Sequence, residues 1–283
     1  MVNGGGSGLS LVVAGYNLGE HLYGQDDYFL SYLQPSPPGQ PSVIDLRNVR
    51  FVDPLGLVGI ATLAQSQRQA GRDVTLDGPK DSNVAAYLSR MRLNDVLDYL
   101  GVGQDLPEVK GRARNTLLEL QVFEGERQLE RLAELIFDEF APANRDLADN
   151  LYASVVELGT NVPQHSGLPS GFIAVQLYED HAIFAIGDAG MGFLGTLPAA
   201  YSELMAVEWA LRGKSSTGQI GRGLGLPFVR DFVQGCGGRL RIVTGRLSAV
   251  LQLGQPPQHQ QLQHQLFDLG LPGGVLLQMR VPR

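Results

Sequence analysis

The chain has 283 residues, a formal net charge of −7 and a pI near 5.2, so it carries no strong basic field to hold a nucleic-acid backbone. Its 43% hydrophobic and 18% charged residues are those of a packed protein rather than a disordered one, long enough for one large domain or two ordinary ones. The single cysteine, Cys236, excludes a disulfide framework within the chain and points to a reducing, cytoplasmic compartment, and no apolar run reaches the roughly 18 residues of a membrane span.

The start, MVNGGGSG, reads as a flexible lead-in. LSLVVAG at 9–15 has no basic segment ahead of it, so a strand is expected there rather than a signal peptide. Two short apolar runs, Val43–Leu46 and Val49–Val52, follow as strand candidates. The periodic stretch from Leu55 to Ala70, stopped by Gly71, predicts a helix. DVTLDGP predicts a strand closed by a Gly-Pro break, and Val84, Leu88 and Met91 recur at helical spacing. Strands alternating with helices imply an α/β layer over residues 9–101. The polar, Gly- and Pro-broken stretch at 102–115 reads as a linker.

A second block is expected over residues 116–283. It opens with a strand, TLLELQVF, and an amphipathic helix from Glu126 to Phe140, whose Arg127, Glu130, Arg131 and Glu134 form a solvated face. APANRD breaks the chain before a further helix from Leu147. GFIAVQLYEDHAIFAIGDAG predicts a hairpin turning at Glu179-Asp180. Helical pattern returns around Tyr201–Leu211 and Leu224–Val233, then a strand in GCGGRLRIVTG. The Gln-rich segment 255–265 reads as a surface loop, and Val275–Val281 as a closing strand.

Three features carry chemistry. Glu157 and Asn161, in VVELGTNVPQHSG, sit one turn apart on a helix face, a carboxylate beside a neutral amide. That pair suits a magnesium-phosphate site, although Asn also disfavours a helix interior. Pro163 forces the helix to kink or stop there. GDAGMG, at 187–192, follows an apolar strand. Asp188 at a buried strand end can accept a hydrogen bond from a ligand amine, and Gly190 and Gly192 allow backbone to approach a flat ligand. GRGLGL, at 221–226, puts flexible backbone at a helix N-terminus, where free N–H groups favour phosphate. It is neither a Rossmann fingerprint, because Leu226 stands where Gly is needed, nor a Walker A loop. Each feature alone also fits a structural turn or helix start.

In this order and spacing, the three motifs resemble the N, G1 and G2 boxes of GHKL (Bergerat-fold) ATP-binding domains, the family of histidine kinases and anti-sigma-factor kinases. The resemblance covers residues 116–283 and implies an α/β sandwich with a mixed sheet and helices on one face. It implies ATP and Mg²⁺ as ligands. Asn161 matches the metal-holding asparagine, Glu157 the residue that activates the attacking water or hydroxyl, and Asp188 the reader of the adenine amino group. Gly190 and Gly192 match the adenine pocket, and Gly221, Gly223 and Gly225, with Arg222 and Leu224, the phosphate loop. Lys214 and Thr217 fall in the family's mobile lid, where Lys214 suits a terminal phosphate. A solvated loop fits the same residues equally well. His165 follows the N box and reads as structural or site-lining. Gly273-Gly274 stands where the family often has Gly-Thr, so a supporting hydroxyl is missing.

Residues 44–79 are similar to STAS domains, including anti-sigma-factor antagonists. The serine that follows the aspartate in their Asp-Ser-Ser-Gly motif is replaced, since this chain reads Asp53-Pro54-Leu55-Gly56. Asp53 as N-cap and Pro54 at the first helical position make a structural helix start. Together the resemblances imply a STAS-like domain followed by a GHKL domain. Such a chain would be a Mg-ATP-binding regulatory protein of bacterial signal transduction. The alternative is an anti-sigma-factor-type serine/threonine protein kinase or slow ATPase. ATP or ADP and a STAS or sigma-factor-pathway protein are the implied partners, with a homodimer as a further possibility and neither nucleic acid nor membrane.

Overall fold

A computed structural model describes residues 41–214, 224–251, 262–266 and 273–283. The expected strand at 9–15 lies outside them. Two sheets and the helices between and around them form the fold. In the first, β1 (Ser42–Asp45), β2 (Val74–Asp77) and β3 (Gly103–Gln104) run parallel. Helix α1 (Pro54–Gln69) joins β1 to β2, as a parallel pair requires a crossover. Asp53 caps it, accepting from the Gly56 N–H at 2.9 Å, with Pro54 in its first turn. Helices α2 (Ser82–Arg90) and α3 (Leu93–Tyr99) follow. Val49 and Val52, expected in a strand, are buried from an irregular segment instead; their apolarity records burial, not pairing.

The second sheet has seven strands in the order β4-β5-β6-β10-β7-β8-β9. They are β4 (Thr116–Glu124), β5 (Ser170–Leu177), β6 (His181–Asp188), β7 (Arg239–Thr244), β8 (Leu247–Leu251), β9 (Leu262–Leu266) and β10 (Val275–Pro282). The expected mixed sheet is corrected here: every pairing among these strands is antiparallel. The chain returns through hairpins and places its last strand, β10, between β6 and β7, so both neighbours run against it. The Gln-rich segment is corrected too. Leu262–Leu266 pairs with β8 at the sheet edge, while 255–261 lie outside the described residues.

Helices α4 (Glu126–Phe140), α5 (Arg145–Asn161) and α8 (Gly225–Gly235) cover one face of this sheet. Their apolar stripes share a core with Phe184, Ile186, Ile242, Leu277 and Met279. The opposite face is covered by α1 of the first block. One continuous core joins Ile44, Leu57, Leu63 and Leu76 to Phe172, Ala174, Ala185, Val243 and Leu276 of the large sheet. Leu57, Val58, Ile60 and Leu63 of α1 are fully buried, each contributing about 1.5–3 kcal/mol. Val58 approaches the sheet at Gly187, where a Cβ would lie 2.7 Å from its Cγ1. Val102, Leu106 and Ala113, from the expected linker, belong to the same core.

Polar groups close the seam around that core. The Gln278 amide donates to Asp53 Oδ2 at 3.0 Å, and the Tyr87 hydroxyl donates to Gln176 Oε1 at 3.0 Å. Burial raises the Tyr87 phenol above its ordinary range. No helix among the described residues is long and apolar enough to cross a membrane.

Candidate functional site

The described parts of the three motifs meet at one end of the large sheet. Residues alternate along a strand, so Ile186 and Asp188 of β6 face α5, while Gly187 faces α1. In register, Val275 of β10 lies beside both Asp188 and Thr244, and the three make one row across the sheet. Ile186, Asp188, Val275 and Leu277 thereby floor a cleft of about 400 Å³.

One wall comes from α5 and its continuation. The helix ends at Asn161, and Val162–Ser166 form a single wide turn with Pro163 near its start. The proline therefore widens the helix rather than breaking the chain away, and Asn161 stays in the wall beside Glu157. His165 and Ser166 of the turn also line the cleft. The facing wall is the start of α8, where Leu224 and Gly225 line the cleft. Glu157 reaches across to it: a Cβ on Gly225 would meet Glu157 Oε2 at 2.2 Å. Gly192, Phe193 and Thr196 of α6 (Gly192–Thr196), with Lys214, stand at the rim. Thus Glu157, Asn161, Asp188, Gly192, Lys214, Leu224 and Gly225 come together. Thr217, Gly221, Arg222 and Gly223 lie outside the described residues.

Asp188 is 7% exposed, and its Oδ1 accepts from the Gly190 N–H at 2.8 Å. Burial pushes its carboxyl up to about 6, and the Gly190 hydrogen bond opposes the shift. Gly190 itself stands behind the cleft wall, packed on Ser166 so closely that a Cβ would lie 2.3 Å from the Ser166 carbonyl oxygen. The hydroxyl absent at Gly274 has a neighbour at the next strand end. Thr244, 2% exposed, accepts from the Phe193 N–H at 3.3 Å and donates to the Gly274 carbonyl at 3.3 Å. It ties the loop after Asp188 to the start of β10.

Sequence reasoning missed Thr244, Phe193 and Glu126, which also lines the cleft. Glu126 and Glu157 are some thirty positions apart, and nothing local relates them. Glu126, Glu157 and Asp188 give the lining more acidic than basic side chains. Among the described residues no group of three or more His, Cys, Asp or Glu side chains is placed to hold a metal ion. The arrangement offers a buried acceptor at one end, an amide along the wall and a helix N-terminus opposite. Such groups can accept from a donor on a ligand and favour an anion at the helix start. No family model matches the chain, and a search of curated proteins finds no match to it.

Proposed function

We propose that the chain is a Mg-ATP-binding regulatory protein, with a GHKL-type nucleotide domain in its second block and a STAS-like first block. The observation that carries this reading is the convergence of Asp188 and Asn161 on one cleft, although 27 positions separate them. A cleft of about 400 Å³ lies in the usual range of roughly 300–1,000 Å³ for small-molecule sites. The ionised Asp188 carboxylate accepts from the exocyclic amine of adenine, and its one observed partner, Gly190, uses Oδ1. Asn161 would supply an oxygen ligand to Mg²⁺, a hard cation that favours oxygen donors. Bound there, Mg²⁺ would neutralise phosphate charge that Glu126 and Glu157 would otherwise repel.

The regulatory element of the proposal rests on the seam. The α1 start, which resembles the phosphorylated end of a STAS domain, faces this chain's own sheet through Asp53 and Gln278. Nucleotide state acts at the cleft, and the sheet floor that forms it is backed by α1 at Gly187 and Val58. A STAS or sigma-factor-pathway protein is the proposed partner. Calorimetric titration with Mg-ATP tests the reading. Wild type is expected to bind and Asp188→Asn to lose binding; equal binding by the two removes the basis of the proposal.

A second reading, protein kinase or slow ATPase, is favoured by Glu157. Its exposed carboxylate stands in the cleft beside the α8 start, where it can accept a proton from water or a hydroxyl. Labelled ATP separates the two readings: turnover or transfer that Glu157→Ala abolishes makes the chain an enzyme.

A further inference from the structure

The end of α7 (Glu203–Leu211) is built in a way that places one cation. Gly213 adopts φ +79° and its N–H donates to the Ala210 carbonyl at 3.0 Å, while the Lys214 N–H donates to the Trp209 carbonyl at 2.9 Å. These two bonds define a Schellman cap, with Arg212 as the cap residue. In that motif the side chain two residues past the cap lies against the one three residues before it. Here those are Lys214 and Trp209. The Lys214 ammonium sits 3.6 Å from the centre of the Trp209 ring. The sequence WALRGK thus sets the pair, through a glycine that alone takes the left-handed turn cheaply.

Lys214 is also the only Lys or Arg among the described residues that line the cleft, whose other charged members include Glu126, Glu157 and Asp188. Lys214 is exposed and Trp209 half-buried, so the contact is open to solvent on one side. A cation over an exposed ring is held more weakly than one hydrogen-bonded to phosphate.

We propose that the Trp209–Lys214 pair is the phosphate-selective element of the cleft: Trp209 stores the ammonium at the rim, and a phosphate-bearing ligand draws it off the ring. This inference rests on the nucleotide reading above and adds a positioning residue, Trp209, to it. A nucleoside without phosphates makes the same contacts with Asp188 and leaves the pair intact. Selectivity for the phosphorylated ligand then comes from the exchange of one partner of Lys214 for another.

Trp209 is the chain's only tryptophan, so its fluorescence has a single source. The full chain is titrated with Mg-ATP, magnesium tripolyphosphate and adenosine, by calorimetry and by tryptophan emission in parallel. Mg-ATP and tripolyphosphate are expected to change the emission over the range in which calorimetry shows binding, and adenosine to bind without changing it. Lys214→Met is expected to abolish the change and to weaken Mg-ATP roughly 10-fold, leaving adenosine unaffected. Lys214→Arg, which keeps the cation, restores the response. Mg-ATP binding that leaves the emission unaltered overturns the inference while the nucleotide reading stands. Equal weakening of ATP and adenosine by Lys214→Met also overturns it. Failure of every nucleotide and nucleoside to bind overturns the nucleotide reading, and this inference with it.

Discussion

Gln278, midway along the last strand, donates its side-chain amide to Asp53, which caps the first helix of the described chain, across 225 positions of sequence. Asp53 thus serves two elements, since its other oxygen accepts from the Gly56 N–H. Asp53→Ala removes the cap and strands the Gln278 amide within the seam. The expected loss is about 1–3 kcal/mol of unfolding free energy, measured by urea denaturation. Gln278→Leu combined with Asp53→Ala should cost less than the sum of the separate changes, because the two residues are bonded to each other.

The Asp188 carboxyl predicts opposite signs for stability and binding. Its folded pKa is pushed up to about 6, above the ordinary value of 3.8, so the folded state holds its proton more tightly than the unfolded one. Stability from this group is fully present below pH 3.8 and is lost as pH rises through 6. The loss amounts to about 3 kcal/mol at most. Asp188→Asn carries no such charge and keeps an acceptor for Gly190. At pH 7.5 its melting temperature should exceed that of wild type while Mg-ATP binding disappears. A variant both less stable and fully able to bind contradicts the assignment.

Nucleotide binding should follow the same titration. The ionised carboxylate is the acceptor, so Mg-ATP affinity is expected to be full above pH 7 and to fall as pH drops through about 6. Calorimetry between pH 5 and 8 checks this. Asp188→Asn should show no binding anywhere in that range.

Gly190→Ala should damage the cleft by pushing on Ser166 of its wall. Its Cβ would meet the Ser166 carbonyl oxygen and Cα, which are backbone atoms and cannot rotate away. The expected result is about 1–3 kcal/mol of lost stability, and Mg-ATP affinity reduced more than tenfold. Thermal melts and calorimetry measure both.

Magnesium should matter more than usual. The lining holds Glu126, Glu157 and Asp188 against Lys214. With EDTA present, ATP is expected to bind at least tenfold more weakly. Glu126→Gln should recover part of that loss, since it removes a carboxylate from the lining, and titrations with and without metal show whether it does.

Much of this molecule could be read along the chain. Helix α4 was delimited by its amphipathic period and α1 by Asp53, Pro54 and Gly71, all local signals that burial later reinforced. The strand pattern of the β5–β6 hairpin was equally plain. Strand order was not, because the placing of β10 between β6 and β7 depends on pairings far apart in sequence. Strand β9 is Gln-rich and owes its extended form to its pairing with β8 rather than to composition. The burial of α1 on both sides did have a signal: PLGLVGIATLA is apolar around the whole helix, as a solvent-facing helix would not be. In the cleft, the motif residues carry a local signal in their spacing. Thr244 and Glu126 arrive from distant elements, and only the sheet register and helix packing bring them in. The Trp209–Lys214 pair was legible in principle, from a glycine one residue before a lysine at a helix end.

Because α1 is wedged between the two sheets, neither half of the chain owns a complete interior. Truncation at the nominal boundary would leave Phe172, Ala174, Ala185 and Leu276 facing water, and the orphaned fragment would be driven to aggregate. Melting should therefore be a single event seen identically by every probe, and whatever disturbs the first block is felt in the floor of the cleft.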